Sequence, residues 1–153
     1  MRKRAVKVFL DSNVILSGLL SETGPPRVIL DLLSLELPGL AAVTGRYNII
    51  EIERNIRNKA PKALPVYQEY FPKLRIDIVP VPSPADVIKY SGIVVDKDTP
   101  VLVSAIKCGA DVLVTGDKKH FAKVKRSGAL SLRIVSPSEF LETLASFLKE
   151  EGE

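Results

Sequence analysis

Two stretches far apart in the chain share one construction. Val6-Lys7-Val8-Phe9-Leu10 runs straight into Asp11-Ser12-Asn13, and Asp111-Val112-Leu113-Val114 runs straight into Thr115-Gly116-Asp117. A short apolar run bounded by turn residues reads as a strand buried on both faces, the kind that parallel sheets contain. Each carboxylate then stands just past the carboxyl end of a strand, the edge at which open α/β sheets hold their sites.

The rest of the chain fills in such a sheet. Residues 14–20 read as a short helix ahead of Gly24-Pro25-Pro26, and 27–37 as a mostly apolar helix stopped by Pro38-Gly39. Residues 40–44 form a weaker second strand, about 46–59 a helix closed by Pro61, and 62–71 a helix interrupted by Pro65. Residues 74–79 alternate as a third strand before Pro80-Val81-Pro82-Ser83-Pro84, and 86–92 are helical. Asp98-Thr99-Pro100 opens another helix, with a capping side chain and a proline just inside the start, and Cys108-Gly109 ends it. Strands at 111–114 and 132–135 follow. The last helix starts at Ser136-Pro137-Ser138-Glu139, capped by Ser136 or Ser138, and its apolar face is Phe140, Leu141, Leu144, Phe147 and Leu148. Strands alternating with helices predict a single α/β domain over residues 1–153, a parallel sheet flanked by helices on both faces.

Composition excludes several classes. No apolar run approaches the roughly 18 residues of a membrane span, and the basic start, residues 1–4, leads into a stretch holding Lys7 and Asp11, unlike a signal peptide. We therefore expect the cytoplasm. The one cysteine, Cys108, agrees with a reducing compartment, and with His120 the one histidine it argues against a Cys/His zinc site. Lys118, Lys119, His120, Lys123, Lys125 and Arg126 cluster directly after Asp117 in a chain of net charge +4, which suits drawing a polyanion toward that carboxylate. The plainer reading of that run is a solvated surface, with His120 simply part of it.

A lone Asp11 reads first as the cap of the next helix. Several converging acids read differently. Asp11 and Asp117 end two strands, and Asp98 lies one helix and one strand before Asp117. Hard carboxylate oxygens held together repel unless a cation sits between them, and Mg²⁺ or Mn²⁺ is the usual partner.

Four pieces in order carry a family resemblance: Leu10-Asp11-Ser12-Asn13-Val14; Tyr47-Asn48-Ile49-Ile50-Glu51-Ile52-Glu53-Arg54-Asn55-Ile56; Asp98-Thr99-Pro100-Val101-Leu102-Val103-Ser104-Ala105; and Ala110-Asp111-Val112-Leu113-Val114-Thr115-Gly116-Asp117-Lys118. With them the chain resembles the PIN domain family of metal-dependent ribonucleases. The resemblance implies a five-stranded parallel sheet flanked by helices, three layers α/β/α, with an acidic pocket at its carboxyl edge. It also implies RNA hydrolysis by one or two Mg²⁺ or Mn²⁺ ions held by Asp11, Glu51, Asp98 and Asp117, leaving a 5′-phosphate and a 3′-hydroxyl. Ser12, Asn13 and Thr115 match positions that support the pocket, and Asn55 shares a helix face with Glu51 at i,i+4. Arg46, Lys118, Lys119 and Lys123 would hold the RNA backbone without reading sequence.

Two choices are finer. The stripe Ile49, Ile52, Ile56 lies nearer Glu53 by helical angle, whereas the family register favours Glu51, because Arg54 and Asn55 then fall three and four residues later. Asp96 could stand in for Asp98, yet reads better as a solvated loop acid. Many single-domain relatives of this length are toxins of toxin–antitoxin pairs, often homodimers, so the resemblance implies an antitoxin protein partner covering the pocket. The alternative is a catalytically inactive PIN-like RNA-binding or scaffold module.

Overall fold

The computed structural model describes residues 5–127 and 131–151. Residues 1–4, and the side chains of Lys125, Arg126, Phe147 and Leu148, lie outside the described set. Five strands form one all-parallel sheet in the order β3-β2-β1-β4-β5: β1 Val6–Leu10, β2 Leu40–Gly45, β3 Asp77–Val79, β4 Val112–Val114 and β5 Arg133–Val135. The helices are α1 Ser12–Leu20, α2 Pro25–Leu33, α3 Arg46–Lys59, α4 Leu64–Tyr70, α5 Pro84–Lys89, α6 Thr99–Lys107, α7 Ala122–Ser127 and α8 Pro137–Glu151. The chain is thus a single α/β domain, and among the described residues no helix is long and apolar enough to cross a membrane.

Strand pleating sorts the core into two layers. Val8, Leu10, Ala42, Val112, Val114 and Val135 face one side, where Val14 and Ile15 of α1, Ile29 and Leu30 of α2, Ile49, Ile52 and Ile56 of α3 and Phe140 and Leu144 of α8 cover them. Phe9, Val43, Leu113 and Ile134 face the other, against Val101, Leu102 and Ala105 of α6 with Phe121 and Val124. Both faces are buried, which explains why the strands read as unbroken apolar runs. The connections reverse direction between β1 and β4, the switch point at which such sheets open a crevice. Asp11 and Asp117 follow those two strands.

Several element boundaries depart from the sequence reading, each for a local reason. Helix α1 starts at Ser12 rather than residue 14, because the Asp11 side chain accepts from Ser12 N–H and caps it. Helix α2 covers Pro25–Leu33 rather than 27–37: Pro25 and Pro26 sit in the first turn, where no N–H is needed, and Glu36 takes φ 51°, which ends the helix early. Pro65 does not interrupt a helix but stands in the first turn of α4, after a 3₁₀ turn at Pro61–Ala63. The third strand shrinks to Asp77–Val79, since a 3₁₀ turn at Phe71–Leu74 and left-handed Arg75 occupy its expected start. Helix α5 begins at Pro84, with Ser83 as its cap accepting from Asp86 N–H, so the segment 86–92 is helical only to Lys89. At α8 the capping serine is Ser136, in a reciprocal box: Glu139 N–H donates to Ser136 Oγ at 3.2 Å, and Ser136 N–H donates to Glu139 Oε1 at 2.9 Å. The aromatic residues Tyr67, Tyr70 and Phe71 serve packing, with Tyr67 and Phe71 rings 5.6 Å apart and Arg27 over Tyr70.

Candidate active site

Asp11 is nearly buried and its carboxylate is surrounded by donors. Ser12 N–H donates to Oδ1 at 2.7 Å, Asn48 Nδ2 to Oδ1 at 3.2 Å, and Thr115 Oγ1 to Oδ2 at 2.8 Å. The sheet brings these together: Asp11 N–H continues the ladder to Val114 O, so the end of β1 lies against Thr115 at the end of β4. Burial pushes the Asp11 carboxyl up from 3.8 to about 6; the bonds from Thr115 and Ser12 pull it back down, and the negative charges of Glu51 and Asp98 push it up further. Those last two contributions place Glu51 and Asp98 within electrostatic reach of Asp11.

Asp117 is held by the first turn of α1. Asn13 Nδ2 donates to Asp117 Oδ2 at 2.9 Å while Asn13 Oδ1 accepts from Gly116 N–H, and Asp117 N–H donates to Thr115 Oγ1 at 3.1 Å. Thr115 therefore bridges the two acids, donating to Asp11 and accepting from Asp117. Asp98 lies in a 3₁₀ turn at Asp96–Asp98 ahead of α6, buried, and its Oδ2 is 3.1 Å from Nδ1 of His120. Glu51 is half-buried on α3, beside Tyr47, whose phenol is pushed up by its own burial and by the charges of Glu51 and Asp98, with Arg54 opposing.

A model of the PIN domain family matches residues 7–119. The chain belongs to the PIN domain family. That family is one of nucleases, which hydrolyse phosphodiester bonds. No curated protein matches the chain. Among solved structures it is similar to VapBC-1 from nontypeable Haemophilus influenzae, with TM-score 0.62 and 15% identity over 87% of this chain and 99% of that one. It is similar also to PAE2754 from Pyrobaculum aerophilum, with TM-score 0.62 and 19% identity over 93% and 98% of the two chains. A third is VapBC2 from Rickettsia felis, solved bound to a DNA fragment from their promoter, with TM-score 0.60 and 18% identity over 84% and 98%. At these identities the likeness is one of fold.

Within this PIN domain the two glutamates of α3 separate. Glu53 accepts from Tyr67 O–H at 3.4 Å and lies 4.0 Å from Arg57, on the flank that α4 covers. Glu51 carries its charge toward Asp11 and Tyr47 instead. Asn55 is not among the acids: its Nδ2 donates to the backbone carbonyl of Glu51 at 3.0 Å, a bond internal to the helix. Asp96 is exposed. Of the basic side chains, Lys118 is bound to Glu139 at 2.8 Å, Arg46 acts electrostatically on Tyr67, and Lys119 and Lys123 are exposed. Arg54 is exposed and its charge acts on Tyr47.

Among the described residues no three carboxylates or imidazoles stand close enough, as placed, to enclose an ion. The donor set nevertheless fits a hard divalent cation. Its groups are carboxylates, and the rise of the Asp11 carboxyl registers burial and like charge that a cation there would relieve.

Asn48 is the residue sequence reasoning passed over. Completely buried at the start of α3, it donates from Nδ2 both to Asp11 Oδ1 and to Ser12 Oγ, the latter at 2.8 Å. A flipped amide would set its oxygen against the Asp11 carboxylate, so the network itself fixes the orientation. Its Oδ1 and the nearby Ser104 Oγ have no partner among the described residues. The available signal was one polar residue interrupting an apolar helix face. Gly45 leaves room for this arrangement: a Cβ there would lie 2.9 Å from Asn48 Oδ1 and 3.3 Å from Ser104 Oγ. Gly45→Ala should therefore cost about 1–3 kcal/mol in urea unfolding. It should also lower nuclease activity by shifting Asn48 off Asp11; a variant as stable and active as wild type would contradict the role given to Asn48.

Proposed function

We propose that the chain is a Mg²⁺- or Mn²⁺-dependent endoribonuclease with Asp11, Glu51, Asp98 and Asp117 as its metal-binding and catalytic acids. The observation that carries this reading is the Asp11 carboxylate, buried at the switch point of the sheet, held by Ser12, Asn48 and Thr115 and acted on by the charges of Glu51 and Asp98. A bound divalent ion would supply an activated water and neutralise charge developing on the phosphate. The chain's own residues do the positioning. Ser12, Asn48 and Thr115 orient Asp11, and Asn13 and Thr115 orient Asp117. Arg46, Arg54, Lys119 and Lys123, all exposed, contact the phosphate backbone without reading sequence; Lys118, bound to Glu139, contributes less.

The same reading places the protein in the cytoplasm as the toxin of a toxin–antitoxin pair, acting as a homodimer with an antitoxin protein that covers the acids. Family membership and the VapBC structures among its structural neighbours support the toxin and antitoxin part of this reading. The test is incubation of purified protein with a single-stranded RNA and Mn²⁺. Cleavage that EDTA abolishes is the expected result. RNA binding without cleavage under any divalent ion would instead favour the inactive RNA-binding module.

A further inference from the structure

The His120 ring sits where a surface histidine in a lysine-rich run would not. The turn at Lys118–Phe121 is pinned on both sides: His120 N–H donates to Asp117 O at 2.8 Å, and Phe121 is completely buried in the core against the α6 face of the sheet. With the backbone fixed and only two side-chain torsions to set, the imidazole is aimed by the fold. It meets Asp98, the two side chains being 25% and 12% exposed, so the contact is largely withdrawn from water. Asp98 stands in the N-cap position of α6 but makes no capping bond with its side chain. His120 is the hydrogen-bond partner of its carboxylate among the described residues.

From this we infer that His120 is a positioning residue of the site. It donates from Nδ1–H to Asp98 Oδ2, fixing the carboxylate that would hold the cation. The inference rests on the metal-dependent reading above. It assigns His120 no contact with substrate or water. A histidine bonded to a ligating carboxylate is the mirror of the usual arrangement in which a carboxylate orients a ligating histidine, and outer partners of this kind are typically worth about 10–100-fold in metal affinity.

The atom making the contact gives the test. An asparagine can place its amide nitrogen near the position of Nδ1, whereas a glutamine places its own near Nε2. Mn²⁺ binding by the full chain is measured calorimetrically for wild type, His120→Ala, His120→Asn and His120→Gln, with melting temperatures alongside. Alanine and glutamine should each weaken Mn²⁺ binding by about tenfold or more, and asparagine should stay within about threefold of wild type. Melting temperatures without Mn²⁺ should agree within about 2 °C, which separates positioning from folding. In an Asp98→Ala background, removing His120 should change Mn²⁺ affinity no further.

Equal affinity in all three variants overturns the inference, as does rescue by glutamine but not asparagine, or an additive loss in the Asp98→Ala background. A wild-type chain that takes up no Mn²⁺ overturns the metal-dependent reading, and this inference with it. Wild-type binding that every His120 variant retains overturns this inference alone.

Discussion

Asp11→Asn should abolish metal-dependent RNA cleavage and at the same time stabilise the metal-free protein at neutral pH. Loss of activity follows from removing the most deeply buried of the proposed metal-binding charges, and a fall of about 10³-fold or more corresponds to about 4 kcal/mol of transition-state stabilisation. The gain in stability follows from the same burial. Folding raises the Asp11 carboxyl from 3.8 to about 6, so the folded chain holds the proton longer than the unfolded one. Stability from this group is therefore complete below about pH 4, declines as pH rises through about 6, and stays low above it. A rise of about two units at 1.36 kcal/mol each makes the full penalty about 3 kcal/mol at pH 7. The asparagine amide removes that charge but leaves Thr115 Oγ1 without its acceptor, at a cost of about 1 kcal/mol. The expected net gain is about 1–2 kcal/mol, or about 2–8 °C in melting temperature for a chain of this size. Thermal melts in EDTA from pH 4.5 to 7.5 should show the variant's advantage growing with pH, and Mn²⁺ should raise the melting temperature of wild type but not of the variant. An Asp11→Asn protein that cleaves RNA, or is less stable at pH 7 than at pH 4.5 relative to wild type, would contradict this account.

Glu51→Gln and Glu53→Gln should part company by about 30-fold or more. Glu51 acts on Asp11 and Tyr47, so its neutralisation should lower kcat/KM by about 10²–10³-fold. Glu53 is taken up by Tyr67 and Arg57 on the other flank of α3. Its neutralisation should leave cleavage within about threefold and stability within about 0.5 kcal/mol. Steady-state kinetics on one fluorescent RNA measures both variants, and the reverse ranking would move the fourth acid to Glu53.

The pair also shows how far the sequence could be read. The helical angle of Glu53 does bring it to the edge of the apolar stripe, and it is half-buried; what covers it is Tyr67 of α4, a contact that only tertiary placement reveals. Strand β1 and helix α3 were legible to the residue because each is bounded by a strong local signal, Asp11 in one case and Gly45 with Pro61 in the other. Strand β3 was not, because its alternation continues back into a stretch that Pro72 and left-handed Arg75 divert. Asp11 and Asp117 could be placed at one edge from the strands alone. The bonds that join them, through Thr115 and Asn13, needed β1 and β4 to be neighbours. His120 and Lys118 illustrate the same limit. Both belong to one basic run, yet the turn at Lys118–Phe121 directs the first to Asp98 and the second to Glu139, a partner 21 residues away.

The central proposal is that these carboxylates would hold a divalent ion and that the chain hydrolyses RNA with water as the nucleophile. Chemical analysis of the ends left on a labelled single-stranded RNA tests it most directly. Water attack predicts a 3′-hydroxyl on the upstream side and a 5′-phosphate on the downstream side of every cut, formed with Mn²⁺ and absent with EDTA. Fragments ending in a 2′,3′-cyclic phosphate with a 5′-hydroxyl, formed equally well in EDTA, would contradict it.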